Sequence, residues 1–175
     1  MRKTVVFFDM DGVLYEFNKV SVEETFKKGY FANLAPQPNM VGLLKSLQAK
    51  GVDVCILSSV YTQGSAKADK ITALEKANLD DINCIFVPYG ESKKSYIDSI
   101  YKNHIKILID DFSPNLFDWE RENLNVGIKC LNGINGTNGT WQKEGGYTIS
   151  SNTEPQKGVA LLLGLINYLE VGFNA

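Results

Sequence analysis

A three-layer α/β fold, with a parallel sheet of about five strands covered by helices on both faces, is predicted from three observations. Short β-branched and aromatic runs recur along the chain, stretches of helical periodicity separate them, and polar groups crown successive runs. Residues 4–8 (TVVFF) read as a strand buried on both faces, and Gly12 marks the turn that follows. Further apolar runs at 52–57, 84–87, 105–109 and 126–131 supply the other strands. Helical spacing at 40–49, 66–77 and 93–101 lies between them, and a final helix is predicted over 156–169. Alternation of this kind implies βαβ crossovers, and ligands then bind outside the carboxyl ends of the strands.

Two segments interrupt the alternation. Residues 15–38 carry a helix-like piece, SVEETFKKGYF, and a proline-bearing turn, NLAPQPN, and read as a small insertion over the site. Residues 132–152 are rich in Gly and Asn and carry Trp141 and Tyr147, which suggests a lid or a cover for the sheet edge. The 175 residues, 44% of them hydrophobic, fit one domain spanning 1–175 with 15–38 as an insertion within it.

Composition narrows the partners. A net charge of −2 provides no general basic surface for a nucleic acid polymer, so any nucleotide ligand is expected to be small. No apolar stretch approaches the roughly 20 residues that span a bilayer, and no membrane partner is expected. The three cysteines, Cys55, Cys84 and Cys130, each lie in an apolar run and read as buried reduced thiols. With no hydrophobic signal core after Met1, the expected location is cytoplasmic. Asn135 and Asn138 match the glycosylation sequon, which in such a compartment leaves them as turns. His104 is the only histidine, so multi-histidine metal sites are excluded.

The chemistry-bearing residues cluster at strand ends. Asp9 and Asp11 follow the first run, Ser58 and Ser59 the second, Lys93 and Lys94 open the helix after the third, and Asp110 and Asp111 follow the fourth. An acidic turn capping a strand is the plain reading of DMDG alone, since Asp and Gly are ordinary turn residues. Acids, serines, lysines and acids in consecutive units make that reading insufficient. Carboxylates this close repel, and a shared proton or a bound cation must relieve them; all-oxygen ligands suit Mg2+ better than zinc. Lys93 is preferred to Lys94 because it shares a helix face with Ile97 one turn later. Two adjacent acids at a strand end cannot point the same way, so one of Asp110 and Asp111 binds metal and the other supports it.

With these residues in place, DMDGV, the Ser58 strand end, Lys93 and ILIDD resemble the four motifs of the haloacid dehalogenase-like (HAD) phosphohydrolases, a superfamily with a Rossmann-like core. More narrowly, FFDMDGVLYEF with GYFANLAPQPNMVGLLKSL resembles the 5'(3')-deoxyribonucleotidase branch, the cytosolic type of 5'-nucleotidase, in which a small helical cap follows the first strand. The resemblance implies that Asp9 is the nucleophile, forming an aspartyl-phosphate and also holding Mg2+. It implies that Asp11 is the general acid and base and adds its backbone carbonyl to the metal. Ser58, Ser59 and Lys93 would hold the phosphoryl group, and Asp111 would be the direct metal ligand with Asp110 behind it, although the two could exchange.

Phe17, Tyr30 and Phe31 in the insertion, with Phe26, are candidates to stack on a base, against the alternative that they pack the insertion's own small core. The implied substrate is a small-molecule phosphomonoester, in particular a deoxyribonucleoside monophosphate. A phosphatase for sugar phosphates is the nearest rival. A noncatalytic nucleotide-binding module and a phosphomutase are the others, the first disfavoured by the intact acids and the second by the short cap.

Overall fold

In the computed structural model, which describes residues 2–17, 20–120, 124–134, 141 and 145–174, the first strand alternates its side chains between two cores. Strand β1 (Thr4–Phe8) turns Val6 and Phe8 to one face and Val5 and Phe7 to the other, each fully or nearly buried. The chain continues through helix α1 (Val22–Thr25), a 3-10 turn (Phe31–Asn33), α2 (Pro38–Ala49), β2 (Asp53–Val60), α3 (Ala66–Lys76), β3 (Cys84–Pro88) and α4 (Lys93–Asp98). It ends with β4 (Ile105–Asp110), α5 (Ser113–Trp119), β5 (Asn125–Leu131), β6 (Tyr147–Ser150) and α6 (Pro155–Asn174).

The strands form one six-stranded sheet in the order β3-β2-β1-β4-β5-β6, with every pairing parallel. Helices cover both faces, which makes the architecture three-layered and Rossmann-like, as the alternation of runs predicts. Leu43, Leu44, Leu47, Leu162 and Ile166 of α2 and α6 pack on one face with Val6, Phe8, Ile107 and Ile109. Ile97, Leu116 and Trp119 of α4 and α5 pack on the other with Phe7, Leu57 and Leu108. The buried Trp119 ring satisfies its N–H by donating to the Lys106 carbonyl at 3.1 Å. Strand order reverses between β1 and β4, and a crevice opens there at the carboxyl ends.

Differences from the sequence reading have local causes. The sheet has six strands rather than about five, because YTIS inside the Gly/Asn segment pairs with β5 along Ile128–Leu131. Trp141 is buried and donates its indole N–H to Tyr147 O at 2.7 Å, so the described part of 132–152 extends the sheet edge. The turn expectations at Asn135 and Asn138 lie outside the described residues. Helix α5 is an addition, begun by Ser113-Pro114, and α4 stops at Asp98, short of residue 101. His104 accordingly lies beyond the helix, against the Tyr101 ring with centroids 5.4 Å apart. The three cysteines are free, Cys55 and Cys130 buried and Cys84 half-buried. Among the described residues no helix is long and apolar enough to cross a membrane.

Among the described residues of 15–37 the helical content is limited to α1 and the 3-10 turn. Helix α3 anchors this segment. Asp69 accepts from Gly29 N–H at 2.7 Å, Lys76 donates to Ala32 O at 2.8 Å, and Tyr15 O–H donates to Ala73 O at 2.7 Å.

Candidate active site

Register alone brings the first and fourth acidic motifs together. Phe8 pairs with Ile109 and the Asp9 N–H donates to Ile109 O at 3.0 Å, so Asp9 leaves β1 beside Asp110 at the end of β4. One carboxylate oxygen from each of Asp9, Asp110 and Asp111 lies within 4.8 Å of the other two, and all three residues are buried.

Lys93 enters this cluster from the first turn of α4, where Ser92 caps the helix by accepting from Ser95 N–H at 3.1 Å. Its ammonium is 2.8 Å from Asp9 Oδ1 and 2.7 Å from Asp110 Oδ2, and Ile97 on the same face is fully buried. Lys94 instead pairs with Asp98 at 3.2 Å. The two adjacent acids diverge. Asp110 accepts from Lys93, from Asn115 Nδ2 at 2.9 Å and from Phe112 N–H at 2.8 Å, so both its oxygens are engaged by protein. Asp111 lines the crevice and accepts from Asn132 Nδ2 at 2.9 Å.

Two ammoniums, Lys93 within the cluster and Lys129 on the Asp111 carbonyl, face three buried carboxylates. Burial pushes the Asp9 carboxyl up to about 7, against the pull of Lys93, and the Asp110 and Asp11 charges add to the rise. Asp111 is pushed up to about 6, by burial first and then by Asp110. Burial works against the Lys93 charge, but Asp110 and Asp9 outweigh it and raise its pKa. A small oxygen-lined cluster with this excess of negative charge fits a hard divalent cation.

Asp11 stands at the crevice wall, with its carboxylate 2.5 Å from the ammonium of Lys70. The same ammonium is 2.8 Å from Ser58 Oγ and 2.9 Å from Ser59 O. Ser58 is fully buried against Lys70, and Ser59 is the member of the pair that lines the crevice. The crevice, about 530 Å³, is also walled by Phe17, Phe31, Tyr61, Tyr89 and Phe112. Tyr30 is not part of that wall; it packs edge-on against Phe31, with centroids 4.9 Å apart. Phe26 meets Tyr61 at 4.8 Å, and Tyr61 meets Tyr89 at 4.5 Å.

Several residues of this neighbourhood were not anticipated from sequence. Lys70, Asn115, Tyr61 and Tyr89 come from separate elements. Asn132 donates to Gly12 O at 2.7 Å as well as to Asp111, bracketing the loop after β1 to the end of β4. Lys129 is buried and donates to the Asp111 carbonyl. Gly12 adopts φ +81°, and a Cβ there would overlap the Asp111 carboxylate. Gly12→Ala is therefore expected to displace Asp111 and to destabilise the fold by about 1–3 kcal/mol. Denaturant melts and the structure of the variant check this, and an unmoved Asp111 would contradict it.

No protein-family model matches the chain, and no curated protein sequence matches it. Solved structures do. A HAD-like phosphatase from Mesorhizobium loti aligns with TM-score 0.57 and 13% identity, over 74% of this chain and 73% of that one. D,D-heptose 1,7-bisphosphate phosphatase from B. bronchiseptica, complexed with magnesium and phosphate, aligns with TM-score 0.65 and 11% identity, over 92% and 98%. A chain of an RNA repair complex aligns with TM-score 0.58 and 16% identity, and the match spans 73% of this chain but 42% of that one. The chain shares the fold of these proteins, and among them are HAD-like phosphatases.

Proposed function

We propose that the protein is a magnesium-dependent phosphomonoesterase of the HAD type. The observation that carries this reading is the buried triad of Asp9, Asp110 and Asp111 at the switch point of the sheet, bridged by Lys93. Asp9 and Asp111, with the backbone carbonyl of Asp11, would hold the ion, and Asp110 would keep Lys93 and Asn115 in place. When bound, Mg2+ supplies positive charge that offsets the carboxylates and the phosphoryl oxygens.

In the proposed reaction an Asp9 carboxylate oxygen bonds to phosphorus as the ester P–O bond breaks, and Asp11 gives a proton to the departing alcohol oxygen. Asp11 then takes a proton from water as that water bonds to phosphorus, and the bond to Asp9 breaks to release phosphate. Lys93 neutralises charge on Asp9 and on the phosphoryl group, and Ser59 at the crevice wall hydrogen-bonds the phosphoryl, backed by Ser58.

Within that class we propose a 5'-nucleotidase acting on deoxyribonucleoside monophosphates, with 15–38 as the cap of a single domain and Phe17 and Phe31 facing the base. The aromatic side chains of the crevice wall support this reading, because flat rings stack on a nucleobase. The three free thiols favour a reducing compartment, and the cytoplasm is the proposed location. Phosphate release from a panel of deoxyribonucleotides, ribonucleotides and sugar phosphates, with and without Mg2+, tests both levels. Mg2+-dependent release with nucleotides preferred is expected. Equal rates on sugar phosphates would remove the nucleotidase assignment, and no release from any ester would remove the enzymatic one.

The carboxylates also set a pH dependence. Asp9 at about 7 and Asp111 at about 6 stand above the ordinary 3.8, so over roughly pH 4–7 the folded protein keeps protons that the unfolded chain sheds. Stability without metal then falls as pH rises through that window. Mg2+ is expected to raise the melting temperature at about pH 7.5 and much less at about pH 5, where protons compete for the same oxygens. Equal shifts at both would place the ion elsewhere.

A further inference from the structure

Lys70 is 1% exposed, as deeply buried as Lys129, and nothing in the reaction written above uses it directly. It projects from the buried face of α3, in register with Ala66, Ala73 and Leu74. A lysine ammonium has three hydrogens and no lone pair. The three acceptors within reach are Asp11 Oδ2 at 2.5 Å, Ser58 Oγ at 2.8 Å and Ser59 O at 2.9 Å. The Phe31 ring lies over the same group, its centroid 4.7 Å from Nζ, and closes the remaining side. Each hydrogen thus has one protein acceptor, and none is left for a substrate.

We propose that Lys70 is a positioning residue for Asp11. Two of its bonds tie it to β2, through Ser58 Oγ and Ser59 O, and the third clamps one oxygen of the Asp11 carboxylate. Asp11 lies on a turn, where its side chain could otherwise swing away from the crevice. Holding Oδ2 leaves Oδ1 as the oxygen that meets the leaving group, in the crevice that Asp11 lines. Phe31 shields this clamp, so the 15–38 segment contributes to acid–base geometry as well as to the wall. Exposed lysines pair with carboxylates at little gain, but a buried and saturated one has a single arrangement to adopt.

The inference rests on the phosphomonoesterase reading, and leaving-group dependence separates the two. Proton donation matters most when the departing oxygen is strongly basic, as in an alkyl phosphate, and little for p-nitrophenolate. Lys70→Met is expected to lower kcat/KM on glycerol 2-phosphate by about 100-fold while changing kcat/KM on p-nitrophenyl phosphate by less than about fivefold, because kcat/KM reads phosphoryl transfer to Asp9 and not the later hydrolysis that both esters share. A purely structural role for Lys70 would lower both equally. Equal losses, or no loss on either ester, with an active wild type would overturn the proposal. An inactive wild type would instead overturn the hydrolase reading. Should Lys70→Met fail to fold in a thermal melt, Lys70→Arg keeps the buried charge but cannot set its planar fork on the same three acceptors. The same selective loss is expected of it, and an equal loss or none counts against the proposal in the same way.

Discussion

Asp9→Asn is expected to abolish turnover of every phosphomonoester while leaving the protein folded. The substitution removes one negative charge and almost no volume, so the packing of Phe8 and the β1–β4 register have no reason to change. An amide cannot accept a phosphoryl group to give the acyl-phosphate, and the neighbouring carboxylates are engaged elsewhere, Asp110 by Lys93, Asn115 and Phe112 N–H, Asp111 by Asn132 and Asp11 by Lys70. Uncatalysed monoester hydrolysis is slow enough that enhancements up to about 10²¹-fold are known, so losing the nucleophile is expected to leave only background release. The metal-free variant should melt no lower than the wild type at neutral pH, because the Asp9 carboxyl is pushed up by burial and by the neighbouring charges of Asp110 and Asp11. Phosphate release and thermal melts measured on the same preparation check both halves. Substantial activity in a folded Asp9→Asn variant would mean that another group attacks phosphorus.

Lys93→Met is expected to cost both stability and rate. Lys93 is 4% exposed and its ammonium bridges Asp9 and Asp110, so its removal leaves two buried carboxylates facing each other. Breaking a buried ion pair in this way costs about 3–5 kcal/mol in the absence of metal, and added Mg2+ should restore part of it. The rate should fall by about 10²–10³ through lost stabilisation of the transferring phosphoryl group. Lys94→Met is the control: its partner Asp98 is half-buried but keeps Lys106 at 2.8 Å, so a change within about 1 kcal/mol and near-normal turnover are expected. Urea melts of both variants with and without Mg2+ decide the matter, and matching losses for the two lysines would contradict the assignment.

The acids and Lys93 were legible in the sequence because strand ends and helix faces are written in local spacing. A β-branched run ending in Asp places that Asp at the sheet edge, and Lys93 four residues before Ile97 shares its buried face. The same rule applied to ADKITALEK would have found Lys70, four residues before the buried Leu74. Its partner leaves no local signal, since Asp11 lies 59 positions away in the chain. Asn115 and Asn132 have no such signal, since an asparagine in a loop or first turn reads as ordinary turn chemistry. Strand β6 was hidden for a different reason: it is a four-residue edge strand with only Ile149 buried, set in a Gly-rich segment whose composition argues for a loop. Its pairing with β5 depends on Trp141 and on the packing of α6, which are tertiary facts.

The most direct measurement is chemical trapping of the reacting enzyme. Protein mixed with Mg2+ and substrate is quenched with borohydride, which reduces an aspartyl-phosphate to homoserine, and the peptide containing Asp9 is read by mass spectrometry. Homoserine is expected at position 9, dependent on substrate and Mg2+ together. Release of phosphate with position 9 unmodified, or with the label on another side chain, would contradict it.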